Sequence, residues 1–175
     1  MRNRQALSRA VVSACLLLVS LPSLAADTLP KGVLVLDGRA APPLVLNNLD
    51  GERWDISESR GRWLFVHFWA SWCGPCREEM PTIQAIFPKV DASQLEIVLV
   101  NTAESEDTVF SFLAEVAPDL TPLVDADGGV TERWQPRGLP ATFFVDPEGR
   151  LRYLALGGRP WDTIDYLGFL QRLAR

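Results

Sequence analysis

The run Trp63-Leu64-Phe65-Val66-His67-Phe68-Trp69 is aromatic or branched almost throughout, and after three intervening residues come Cys73-Gly74-Pro75-Cys76. Such a run reads as a strand buried on both faces. Beyond the cysteines, Met80, Ile83 and Phe87 recur at helical spacing, so the chain turns from strand to helix at the cysteine pair. A strand covered on both sides needs neighbours in a sheet and helices over its faces, which is an α/β layout. The junction also sets chemistry. Unpaired N–H groups and the positive end of the helix dipole face the first cysteine and favour its thiolate. Two intervening residues bring the second sulfur within reach, so the pair can pass between dithiol and disulfide without moving the scaffold.

The other reading of a Cys-x-x-Cys pair is half of a zinc site, which needs two more Cys or His ligands. Cys15 lies in a leader and His67 is the only histidine, so the pair is read as redox-active. The leader is basic from Met1 to Arg9, apolar from Ala10 to Leu21, and ends in Pro22-Ser23-Leu24-Ala25-Ala26, small residues suited to cleavage after Ala25. That is the layout of a secretory signal peptide over residues 1–25, and it is short for a membrane span. No Arg-Arg pair occurs in it, which points to the general secretory route and, from there, the periplasm. An uncleaved inner-membrane anchor and lipidation at Cys15 are the alternatives.

Cleavage removes three arginines, leaving 14 basic residues against 22 acidic ones, a formal charge of −8. That balance argues against nucleic acid and anionic membrane surfaces as partners. It also leaves Cys73 and Cys76 as the only cysteines. An exported protein with a structural disulfide framework normally carries more pairs, so this one reads as a tool rather than a staple.

The remaining pattern fits one domain. Residues 26–41 form a lead-in with one edge strand in Val33-Leu34-Val35-Leu36, and residues 42–175 the domain proper. Leu44-Val45-Leu46 and Arg53-Trp54-Asp55-Ile56 flank an Asp50-Gly51 turn and predict a hairpin. The helix from Cys73 should run to about Phe87 with a kink at Pro81. Leu95 to Val100 is a second buried strand. Asp107 to Val116 is an amphipathic helix, and Leu120 to Val124 a short strand followed by a helical turn over Val130 to Trp134. Ala141 to Val145 and Leu151 to Leu156 form a closing hairpin, and Trp161 to Leu173 a last helix with Ile164, Leu167, Phe169, Leu170 and Leu173 available to pack.

Trp72-Cys73-Gly74-Pro75-Cys76 at a strand-to-helix junction resembles the thioredoxin active site. The order of elements resembles the thioredoxin fold with the additions of its exported TlpA/ResA/DsbE branch. The expected fold is therefore a central mixed sheet with helices on both faces, extended by the N-terminal hairpin (residues 42–56) and a central strand-helix insertion (about Asn101 to Val124). The resemblance covers about Ala41 to Leu173. Its sharpest matches are Trp69 to Pro81 and Gly138-Leu139-Pro140-Ala141-Thr142-Phe143-Phe144-Val145-Asp146. One departure is Gly74-Pro75, the dipeptide of thioredoxin itself, where exported relatives often carry other pairs.

Cys73, first on the helix, is the expected attacking thiolate, and Cys76, one turn inward, the resolving thiol. Pro75 stiffens the loop without sacrificing a needed N–H, and Trp72 either covers the disulfide or is a partly buried aromatic at a strand end. Pro140 stands oddly before a strand. The resemblance implies a cis-proline facing the cysteines, with the Leu139 backbone pairing with an extended substrate segment. His67 occupies the place where thioredoxin has a buried acid beneath the second cysteine. It is either an acceptor for the Cys76 proton or a satisfied core histidine. Glu79 lies on the same side of the helix as Cys76. It either tunes the thiols, as the resemblance implies, or is a solvated carboxylate like Glu78.

The resemblance implies a periplasmic thiol–disulfide oxidoreductase acting through Cys73 and Cys76 without metal, flavin or nucleotide. It would be a monomer reduced by a membrane thiol carrier, with protein disulfides such as apocytochrome c or copper-site cysteines as targets. The competing readings are an oxidant or isomerase, and a copper-binding chaperone on a thioredoxin-like scaffold.

Overall fold

The computed structural model describes residues 29–175, so the leader readings at residues 1–25 lie outside the described residues. Six strands form one mixed sheet: β1 (Val33–Val35), β4 (Trp63–Trp69), β5 (Leu95–Thr102), β6 (Leu123–Asp125), β7 (Ala141–Val145) and β8 (Leu151–Leu156). Their order across the sheet is β1-β8-β7-β4-β5-β6. β4, β5 and β6 run parallel, while β7, β8 and β1 add antiparallel strands on the other side of β4. Parallel neighbours need crossovers, supplied by α1 (Gly74–Ile86) and α2 (Glu106–Val116). A short α3 (Gly129–Trp134) follows β6, and α4 (Ile164–Leu173) closes the chain.

Alternation along β4 divides the core in two. Phe65 and Trp69 point to one side with Met80, Ile83 and Ile86 of α1, Phe112 of α2 and Phe169 of α4. Leu64, Val66 and Phe68 point to the other, against Val130 and Trp134 of α3 and Leu44. His67 shares the parity of Phe65 and Trp69, so it faces the α1 side. Helices thus cover both faces, as the buried run of β4 requires.

The hairpin of β2 (Val45–Asn47) and β3 (Arg53–Asp55) is a separate two-stranded sheet. Its turn is held by the Asn48 side chain, whose Oδ1 accepts from the N–H groups of Asp50 at 3.0 Å and Glu52 at 2.8 Å. An isolated bridge from Asn48 to Leu123 ties it to β6. The lead-in strand β1 pairs with β8 and is part of the main sheet.

α1 ends at Ile86 with Phe87 as its C-cap, as expected, and Phe87 keeps helical backbone as it opens a 3-10 turn with 42% of its surface exposed. Two other local expectations are corrected. The strand expected from Leu120 begins only at Leu123, since Pro122 has no N–H for a ladder. The last helix starts at Ile164, and Ile164 is 88% exposed rather than packed. Trp161, ahead of the helix, takes that core position and meets Phe65 edge-on at 4.8 Å between ring centroids.

Candidate active site

The central strand delivers the cysteines. β4 ends at Trp69, and Cys73 is the N-cap of α1 in extended backbone geometry. Its carbonyl accepts from the N–H groups of Cys76 and Arg77, both at 3.1 Å. Its Sγ accepts from the Cys76 N–H at 3.2 Å. One backbone donor left open at a helix start is thereby turned onto this sulfur. Pro75 sits in the first turn, where no N–H is needed. Cys73 and Cys76 form a disulfide. Cys73 is 5% exposed and Cys76 wholly enclosed, so an incoming molecule meets the first sulfur. Gly74 and Pro75 are exposed. Trp72 is 70% exposed and projects beside Cys73, which removes the reading of it as a partly buried strand-end aromatic.

Pro140 immediately precedes β7. Because Ala141 is in register with Phe68, this end of β7 lies at the cysteine end of β4. The Leu139–Pro140 peptide is cis. The Pro140 carbonyl accepts from Gly157 N–H at 2.8 Å, which fixes the loop to the start of the 157–160 segment, and Leu139 is half-buried at the rim.

Glu79 is not a solvated carboxylate. It is 3% exposed whereas Glu78 is open to solvent. Its Oε2 accepts from the Arg159 N–H at 2.7 Å, and its Oε1 lies 3.0 Å from His67 Nε2. These last two atoms are close but not in line for a hydrogen bond, and neither has another partner. His67 is fully buried, with Nδ1 2.9 Å from Thr142 Oγ1 across the β4–β7 ladder. A cavity of about 320 Å³ lies outside Glu79, bordered by Pro75, Glu78, Gly158 and Arg159. Among the described residues, no group of three or more His, Cys, Asp or Glu is placed to hold a metal ion.

The structure adds residues that sequence reasoning missed. Glu104, just after β5, accepts from Ser71 N–H at 2.7 Å, from the Ser71 hydroxyl, and from Asn101 Nδ2 at 2.7 Å. It anchors the loop that carries Trp72 and Cys73. A signal existed: Trp69 pairs with Asn101, so an acid just beyond Asn101 falls at the carboxyl ends of the parallel strands, where α/β sheets place their sites. Thr142 was visible only as a polar break in an apolar strand. Gly158 presses on the active-site loop, since a Cβ there would lie 3.2 Å from the Pro75 carbonyl oxygen.

This sheet order, with the hairpin extension and a disulfide capping α1, defines a class: thiol–disulfide oxidoreductases on a thioredoxin-like fold. Residues 38–154 match the model of the AhpC/TSA family, and the chain belongs to that family. It is 30% identical over 138 residues to the thiol-disulfide oxidoreductase ResA of Bacillus subtilis (strain 168), covering 78% of this chain and 77% of that protein. The ResA of Geobacillus thermodenitrificans (strain NG80-2) is 29% identical over 90% of this chain and 91% of its own length. Among solved structures, a putative thiol:disulfide interchange protein DsbE from Chlorobium tepidum superposes with a TM-score of 0.67 at 28% identity. The match covers 80% of this chain and 96% of that one. The chain is a thiol–disulfide oxidoreductase of the ResA/DsbE type.

Proposed function

We propose that this protein reduces disulfides of exported proteins in the periplasm by dithiol–disulfide exchange through Cys73 and Cys76. The observation that carries the assignment of roles is the asymmetry of the two sulfurs. Cys73 caps α1 next to the exposed Trp72, at the end of the sheet where Pro140 precedes β7, whereas Cys76 is fully buried. In the reduced enzyme, the Cys73 thiolate attacks one sulfur of a substrate disulfide. An S–S bond forms to Cys73, and the other substrate sulfur leaves as a thiolate that takes a proton from water. The Cys76 thiol then loses its proton and attacks Cys73 Sγ. The Cys73–Cys76 disulfide forms and the second substrate thiolate departs, so two electrons have passed to the substrate. The Leu139 backbone pairs with the extended substrate segment, and Trp72, Gly74 and Pro75 form the apolar contact around the attacked sulfur. Glu79, one turn after Cys76 on the same side of α1, is the carboxylate that serves the resolving thiol.

Export agrees with the signal-peptide layout of residues 1–25 and with structural relatives described as secreted, among them one from Mycobacterium tuberculosis. An oxidising compartment offers no reduced thiol pool, so a membrane thiol carrier must return the electrons. Apocytochrome c and copper-site cysteines are the proposed targets. The enzyme works as a monomer and needs no cofactor besides its own cysteine pair.

Trapping tests the roles of the two sulfurs. Cys73→Ser should abolish turnover, and Cys76→Ser should accumulate mixed disulfides with exported proteins through Cys73, visible on non-reducing gels. Adducts formed through Cys76 in the Cys73→Ser protein would reverse the assignment.

A further inference from the structure

Burying a carboxylate on a helix costs several kcal/mol unless it is paired or protonated. Glu79 has one firm hydrogen bond, from the Arg159 N–H to Oε2. Its other oxygen and the facing His67 Nε2 are both buried, 3.0 Å apart, and without a hydrogen-bond partner. A small turn of either side chain into line lets the two satisfy one another through a shared proton. The far side of the ring is suited to that. Nδ1 faces a hydroxyl, Thr142 Oγ1, at 2.9 Å. A hydroxyl can donate to a bare ring nitrogen or accept from a protonated one with its oxygen in the same place. A change in imidazole protonation therefore leaves no buried hydrogen bond broken.

We propose that His67 and Glu79 act as a single proton-holding pair that receives the proton of Cys76 during resolution, with His67 as the positioning residue that keeps the Glu79 carboxylate ready. The proposal rests on the exchange reading above. The S–H bond of Cys76 breaks and its proton goes to the pair. The freed electron pair on sulfur forms the bond to Cys73 Sγ, and the substrate thiolate leaves. The proton then escapes through the cavity outside Glu79, bordered by Glu78 and Gly158. Three elements besides β4 surround the pair. α1 carries Cys76 one turn before Glu79 and Glu78 at the border of the cavity, and β7 contributes the Thr142 hydroxyl. The 157–160 segment contributes the Arg159 N–H, while its guanidinium is turned to the carbonyls of Leu156 at 2.5 Å and Gly158 at 3.0 Å. The pair accepts a proton only while vacant, so resolution slows on acidification as the pair fills.

His67 is the only histidine in the chain, so its ring nitrogens give unique NMR signals. On acidifying the wild-type protein, the His67 ring nitrogens and the Glu79 side-chain carboxyl carbon should report one shared event. Glu79→Gln should change both the His67 ring shifts and their course with pH. Independent transitions in the wild type, or His67 signals unaltered by Glu79→Gln, would overturn the shared proton; the wild-type comparison needs no variant to fold. The kinetic arm uses an aromatic disulfide such as Ellman's reagent, whose first thiol release reports Cys73 attack and whose second reports resolution. His67→Asn should slow the second phase by at least about tenfold and change its pH profile, leaving the first phase unaltered. An unaffected second phase would overturn the role in resolution. A wild-type protein that failed to exchange with disulfides at all would instead sink the function proposed above, and the NMR arm would still decide the pairing.

Discussion

Glu104 holds the loop before the cysteines by accepting from both the N–H and the hydroxyl of Ser71, and it ties that loop to Asn101 at the end of β5. Glu104→Ala would leave the Ser71 N–H and Asn101 Nδ2 without their acceptor. A loss of about 1–3 kcal/mol in urea unfolding is expected for such orphaned donors. Glu104→Gln keeps one acceptor oxygen and should lose less; equal losses would mean that the carboxylate does not hold the loop. The opposite case is Ile164. The sequence pattern placed it in the core, yet it is 88% exposed. Ile164→Ser should change stability by no more than about 0.5 kcal/mol. Phe169→Ala, at a buried position against Phe144 and Tyr153, should cost about 3–5 kcal/mol.

Between elements, what the sequence made legible were features written in local periodicity. The buried run of β4, the turn at Asp50-Gly51 and the closing hairpin each carry their own signal, and the structure places an element at each. Element ends were less legible where a proline acts, as at Pro122-Leu123. The contacts that complete the site were least legible, because they join distant segments. Glu79 meets Arg159 and His67 meets Thr142 across 80 and 75 residues, and a one-dimensional pattern contains no term for such pairs. The same holds for Gly158, where lack of a side chain matters only because the Pro75 carbonyl lies opposite. Gly158→Ala should displace the active-site loop, with a stability loss of about 1–3 kcal/mol typical of overpacking. The rate of first thiol release should fall with it; an unchanged rate would show that the 157–160 segment does not set the loop position. At the hairpin, the N–H and hydroxyl of Ser57 and the Arg53 guanidinium hold the Asp55 carboxyl below its usual range. A depressed carboxyl stabilises the fold above its unfolded value, near 3.8, and that contribution is lost as pH falls through the folded one. Asp55→Ala should therefore be less stable than wild type at neutral pH, with the difference narrowing below about pH 4.

Across the molecule, the direction of electron flow depends on how far the reduced form is stabilised. A strong oxidant is one whose reduced form is unusually stable, typically through a very low thiolate pKa. Here Gly74-Pro75 separates the cysteines and offers neither a side-chain hydrogen bond nor a charge to Cys73. The α1 N-terminus favours the thiolate, while Glu78 and Glu79 on the same helix oppose it. On the proposed reading the reduced form is not over-stabilised and the disulfide is comparatively favoured, as a reductant requires. The most direct test is the reduction potential of the Cys73/Cys76 couple, obtained by equilibrating the protein against glutathione buffers and quantifying free thiols by alkylation. The account predicts a value nearer thioredoxin's, about −270 mV, than the roughly −120 mV of a strong periplasmic oxidant. A value above about −180 mV, in the range of the isomerases, would contradict it.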